Sequence, residues 1–329
     1  MTIEKDALAK WNLEKPVYQA WGKFIVQSVL SSLKNIDGSS LDNFLKIPPA
    51  PRLKADDSYL AKVQKKTAKD QDIETIDDRV GVRFVVLLTE QISEIEDIVR
   101  SFGHSVSKDR DYEAERDLKP LEFAYQSVHL VVRPKSDLIY QGVAIPAGTA
   151  CEVQIRTLLQ HAHSELTHDR LYKSKREAPK SLHRSVARSM ALIEATDDIF
   201  GDVARKLDEA ESNVRGVVTK LDEIYRKAVE VEPTATNYNS EFIEDLIELG
   251  FEGDGTSVAS RVESLIESKP YLAEKIASNR ERRPLMYGIS GVLYAYLLAT
   301  ESLYDLKELW PLDLSYLQEI CLDLGISID

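Results

Sequence analysis

Apolar positions recur with two periods along this chain, and the switch between them marks its elements. "YQAWGKFIVQSVLSSL" (Tyr18 to Leu33) carries the three-to-four spacing of an amphipathic helix and runs into a turn at "NIDGSS". "IPPAPR" (Ile47 to Arg52) ends helical character, because each proline disfavours helix at the residue before it. A helix from about Lys54 to Lys69 precedes "VGVRFVVLL" (Val80 to Leu88), which is apolar on both faces apart from Arg83 and reads as a covered central strand. A helix at about Gln91 to Phe102, a charged loop (Lys108 to Lys119), the strands "QSVHLVV" and "CEVQIR", and a helix from about Leu158 to Tyr172 follow. The expected architecture is α/β (α+β), a mixed β-sheet flanked by helices.

Beyond it the period stays helical. One pattern runs from about Leu182 to Val229, with Val203, Leu207, Ala210, Val214, Val217, Leu221 and Ile224 at alternating steps of four and three. Such a seam packs along its own domain or joins subunits, so a homo-oligomer through helix 182–229 is one expectation. After the linker-like "EVEPTATNY" the chain reads as helices throughout, with no catalytic constellation in 239–329. The expected partition is 1–45, an N-terminal helical segment; 46–175, the α/β domain; 176–230, the long helix; and 231–329, an all-α region.

Composition narrows the function. At 43% hydrophobic and 29% charged the chain is globular. A net charge of −13 argues against sequence-independent nucleic-acid binding over the whole surface. An anionic substrate would need a local basic cluster aided by a metal ion. Cys151 and Cys321 stand far apart without CxxC spacing, which fits a reducing, cytoplasmic setting rather than a disulfide scaffold. The longest apolar run, Leu285 to Ala299, is broken by Gly288, Ser290 and Gly291 and falls short of the ~20 residues a membrane span needs. No membrane association is expected.

Period two sorts the strand residues into faces. Tyr125, Ser127 and His129 share one face; Glu152, Gln154 and Arg156 share another. Set side by side, they would form a polar wall suited to a nucleobase and a phosphate. In a helix, Lys54, Ser58, Lys62 and Lys65 also share a face, whose like charges repel unless an anion offsets them. Arg52 sits just ahead. Asp78, in "DDRVGVR", reads as a turn cap or a ligand; Gly81 permits close backbone approach; Arg83 needs a partner, either a carboxylate or a substrate.

Arg-x-Lys-x3-Ser-x3-Lys, Asp-x2-Gly-x-Arg, Tyr-x-Ser-x-His and Glu-x-Gln-Ile-Arg-Thr-like motifs occur in that order over roughly residues 46–175, the last written "EVQIRT" here. This resembles the synthetase domain of the RelA/SpoT family, which makes the alarmones ppGpp and pppGpp. The resemblance implies a nucleotidyltransferase-like fold and a GTP pyrophosphokinase activity. ATP would give its β,γ-pyrophosphate to the 3′-hydroxyl of GDP or GTP, releasing AMP. It implies that Arg52 and Arg83 sandwich adenine, while Lys54, Ser58 and Lys62 hold the ATP phosphates. Asp78 and Glu152 would bind Mg²⁺, with Glu152 also the general base. Tyr125, Ser127, His129, Gln154 and Arg156 would bind the acceptor, with His129 close to the catalytic step.

The sequence departs from the family pattern ahead of Tyr125, where "LEFA" replaces a basic residue followed by Asn-Gly. That departure opens an alternative: a toxic relative that pyrophosphorylates another acceptor such as the 3′ end of tRNA. The C-terminal region would then be a fused neutraliser or a sensor. His161, His163 and His168 cluster enough to raise a metal site, against the plainer reading of packing and surface histidines.

Overall fold

The structure, a computed structural model, describes residues 2–37, 44–110, 127–167, 179–234, 236–248 and 255–328. The chain divides into two compact units, Met1–Val203 and Ala204–Asp329.

In the first unit, α1 (Thr2–Asp37) starts well before the expected Tyr18 and carries Pro16 inside it. Trp21, Ile25, Val29 and Leu33 recur at steps of four and are all buried. After the proline-rich stretch come β1 (Arg52–Leu53), α2 (Asp56–Thr67), β2 (Val80–Val86), α3 (Glu90–Ser101), β3 (Ser105–Arg110) and β4 (Val128–Arg133). A small hairpin, β5 (Leu138–Tyr140) and β6 (Val143–Ile145), leads to β7 (Cys151–Thr157) and α4 (Leu158–Thr167).

The main sheet has the order β1-β2-β7-β4-β3. Among the described residues the β2–β7 pair is parallel, and β1–β2, β7–β4 and β4–β3 are antiparallel. The sheet is therefore mixed, as its sequence pattern predicts.

One face of that sheet is a core. Val80, Val82, Phe84 and Val86 of β2, Cys151, Val153 and Ile155 of β7, and Val128, Leu130 and Val132 of β4 pack with the α1 stripe. Ile92, Ile95, Ile98 and Val99 of α3 complete the cluster. Gly22 lets α1 lie against the Pro51 turn: a Cβ there would stand 2.5 Å from Pro51 Cβ.

The reading of Val80–Leu88 as covered on both faces needs correction. Its second face holds Gly81 and Arg83, which are only partly buried and line a cavity. The run reads as doubly covered because Val85 on that face is itself buried.

Helix α5 (Lys180–Val229) spans 50 residues and carries the unit division within it. Its seam splits the same way. Val214, Val217, Leu221 and Ile224 join the core of the second unit, whereas Val203 and Leu207 are exposed.

Among the described residues the elements of that second unit are helices: α6 (Asn237–Glu248), α7 (Gly255–Ser268), α8 (Tyr271–Asn279), α9 (Pro284–Tyr287), α10 (Gly291–Glu301), α11 (Leu303–Leu309) and α12 (Leu314–Leu324). α10 explains the long apolar run, since every residue from Gly291 to Ala299 is buried. Asn239 fixes its start, accepting from Gly291 N at 2.9 Å and donating to Ser290 Oγ at 2.9 Å. Among the described residues no helix is long and apolar enough to cross a membrane.

Candidate active site

The polar face of the sheet follows from strand register. In the parallel pair Gly81 stands beside Glu152 and Arg83 beside Gln154. On the other side of β7, His129 stands opposite Gln154, and Val131 opposite Glu152. β1 sets Arg52 opposite Gly81. Partners in register share a face, so residues from four strands converge on the side away from the core.

Over that face lies a cavity of about 450 Å³. Its lining includes Arg52, Lys54, Ser58, Asp78, Gly81, Arg83, Glu152 and Gln154. Three separate chain segments thus meet at one place. A Cβ at Gly81 would meet only ordinary contacts, the nearer ones being Glu152 O at 3.8 Å and Oε2 at 3.9 Å. No protein atom demands glycine there; its absent side chain keeps the cavity floor open.

The lysine face differs from the helical expectation. α2 begins at Asp56, so Lys54 precedes it, and Lys65 is exposed away from the cavity lining. Lys54 and Lys62 still converge, because both Nζ atoms donate to Asp78 Oδ2 at 2.6 Å. Asp78 is therefore an ion-pair acceptor and not a turn cap. Burial pushes its carboxyl up, but the two lysines outweigh burial and hold it below the ordinary aspartate range.

Glu152 has a parallel arrangement, with His129 Nδ1 3.0 Å from its Oε1. Burial again raises the carboxyl; the bond and charge of His129, with a contribution from Gln154, bring it below the ordinary glutamate range despite opposition from nearby Asp78. Both carboxyls are thus ionised at neutral pH. The Asp78 Oδ1 oxygen is buried without a hydrogen-bond partner among the described residues. Two ionised hard-oxygen donors facing one cavity fit Mg²⁺, which takes one or two carboxylates and fills its other positions with phosphate and water oxygens. Among the described residues no group of three or more acidic, histidine or cysteine side chains could hold a metal without such outside ligands.

The remaining expected residues fall less centrally. Arg156 is buried and donates to Gln154 Oε1. Ser127 is fully buried, with its hydroxyl donating to Ile155 O at 3.3 Å. Tyr125 and His168 lie outside the described residues. Of the two described members of the histidine cluster, His163 Nε2 contacts Ser189 Oγ at 3.0 Å, while His161 turns toward Arg83.

Two sets of contacts were not anticipated. Arg79, 1% exposed, bonds Glu14 and Glu74 at 2.9 and 3.0 Å and the Tyr18 hydroxyl at 3.0 Å, while its carbonyl accepts from Lys54 N at 2.9 Å. It anchors the chain directly after Asp78, and its sequence signal was a second arginine in "DDRVGVR". Glu165 and His161 meet Arg83, with NH1 2.9 Å from Glu165 Oε1 and 3.4 Å from His161 Nδ1. Their four-residue spacing on a helix was the available signal.

The architecture so described is an α+β domain with one sheet face packed on helices and the other carrying paired carboxylates beneath a cationic rim. Residues 51–177 match the family model "Region found in RelA / SpoT proteins". The chain is 27% identical over 179 residues to the GTP pyrophosphokinase YjbM of Bacillus subtilis (strain 168), covering 54% of this chain and 75% of that protein. It is similar to the small alarmone synthetase 1 of Bacillus subtilis (20% identity, TM-score 0.49, 61% of this chain and 98% of the other). It is also similar to a GTP pyrophosphokinase family protein from Streptococcus pneumoniae (20% identity, TM-score 0.48, 60% and 94%).

Proposed function

We propose that this chain is a GTP pyrophosphokinase: it transfers the β,γ-pyrophosphate of ATP to the 3′-hydroxyl of GDP or GTP, forming ppGpp or pppGpp and AMP. The observation that carries this reading is the convergence of Arg52, Lys54, Ser58, Asp78, Arg83 and Glu152 on one cavity. The match of residues 51–177 to the RelA / SpoT family model and the name of the curated relative support the same reading.

Asp78 and Glu152 would hold Mg²⁺, which supplies charge neutralisation for the polyphosphate when bound. The lysines are pre-positioned on Asp78. An incoming triphosphate offers Lys54 and Lys62 new anionic partners and frees Asp78 oxygens, so charge is exchanged rather than stranded. Arg52 and Arg83 present flat guanidinium groups suited to stacking on a base. His129 and Gln154 border the same polar face and would orient the acceptor, with Arg156 braced against Gln154. Glu152 would take the hydroxyl proton, and His129 at its Oε1 holds that carboxylate in place. In-line displacement at the β-phosphorus then draws mainly on positioning and charge neutralisation.

The test is product identification by mass after incubating the chain with labelled ATP and Mg²⁺, giving it GDP, GTP and bulk tRNA as acceptors in separate reactions. Labelled ppGpp and pppGpp are expected. Label on tRNA alone would replace this acceptor assignment, and no transfer to any acceptor would overturn the reading.

A further inference from the structure

Arg83 is held in a way that fold stability does not require. Its NH1 meets Glu165 Oε1 and His161 Nδ1, both from α4, while the side chain stays about one-third exposed and lines the cavity. Glu165 is about half exposed, and ion pairs so open to water contribute little to stability. What the contacts do is restrict a long side chain. A free arginine carries side-chain rotamer entropy, part of which a ligand must otherwise overcome on binding.

Glu165 and His161 lie one turn apart on the same face of α4, so together they grip one end of the guanidinium. We propose that His161 and Glu165 are positioning residues that set the Arg83 guanidinium for stacking on the base of the bound ATP. This rests on the assignment of the cavity to ATP given above.

The charges around His161 agree with an acceptor role. Burial, then Arg83 and Arg156, lower the imidazole below its ordinary range, opposed by Glu165. A neutral ring can accept at Nδ1 from the Arg83 N–H; a protonated ring would repel it.

The experiment uses the intact chain with Mg²⁺ and α,β-methylene-ATP as a non-transferable probe, read by titration calorimetry. In the His161→Ala/Glu165→Ala variant, affinity for the probe should fall about two- to fivefold, the scale of one weak charged contact. The His161→Asn/Glu165→Gln variant keeps two acceptors and should recover most of that loss. In turnover, KM for ATP should rise while kcat and the acceptor KM stay within about twofold.

Unchanged probe affinity in the alanine variant overturns the proposal. So does an equal loss in kcat and acceptor affinity without recovery in the Asn/Gln variant, which would mark general structural damage. A wild-type chain that binds the probe but transfers nothing refutes the pyrophosphokinase reading and leaves the positioning role to be decided by the affinities. A wild-type chain that does not bind the probe overturns both.

Discussion

At the scale of single residues, opposing charges set the character of the cavity. Asp78 is ionised because two lysines outweigh its burial, and removing its charge leaves those lysines facing each other. Asp78→Asn should cut pyrophosphate transfer by roughly 100-fold or more, measured as initial rate at saturating ATP. Its far-UV circular dichroism should match wild type. Arg79 differs, since it touches none of the cavity yet is almost wholly buried between two carboxylates and two tyrosine rings. Arg79→Ala removes a buried guanidinium that is hydrogen-bonded to both acids and packed on both rings, and should cost ~1–3 kcal/mol in urea denaturation.

Among elements, register and close approach decide which faces meet. α1 covers the apolar sheet face at the Pro51 turn only because residue 22 lacks a side chain. Gly22→Val should push α1 from Pro51 and Val80 and lower stability by ~1–3 kcal/mol, seen as a lower melting temperature. The end of β7 is tied to α5 by Thr157 Oγ1 donating to Asp197 Oδ2 at 2.8 Å. Burial pushes the Asp197 carboxyl up to about 6, opposed by the Thr157 bond. The folded protein therefore holds this proton where the unfolded chain has released it. The contribution to stability is present below the ordinary aspartate value near 3.8 and is lost as pH rises to about 6. Asp197→Asn lacks that titration. The stability difference, variant minus wild type, should thus rise by about 1–3 kcal/mol between pH 4 and pH 7 in paired denaturation curves.

For the whole molecule, two units with separate cores predict two unfolding events. Calorimetry of the full chain should resolve them, and Mg²⁺ with α,β-methylene-ATP should raise only the one belonging to the sheet. At 100 times Kd that stabilisation is ~2.7 kcal/mol. Leu293→Ala, in the fully buried part of α10, should lower the other event by ~2–5 kcal/mol.

Much of this was legible in the linear pattern. Period two in "CEVQIRT" separates Cys151, Val153 and Ile155 from Glu152 and Gln154, and the structure buries the first three in the core cluster while the other two line the cavity. The long helix is found at Lys180–Val229 because heptad spacing is a local property of the chain. The motif order alone carried the family resemblance. What the pattern could not decide was anything that depends on partners distant in sequence. Lys54 reaches Asp78 from outside the helix that its spacing suggested, and Arg83 finds Glu165 82 residues away. The α5 seam is uniform in sequence, yet its exposure changes along its length, because neighbours and not spacing determine burial. Local periodicity specifies which face a side chain takes. Only the packed fold specifies what that face meets, since contact energies depend on separations that the order of residues does not encode.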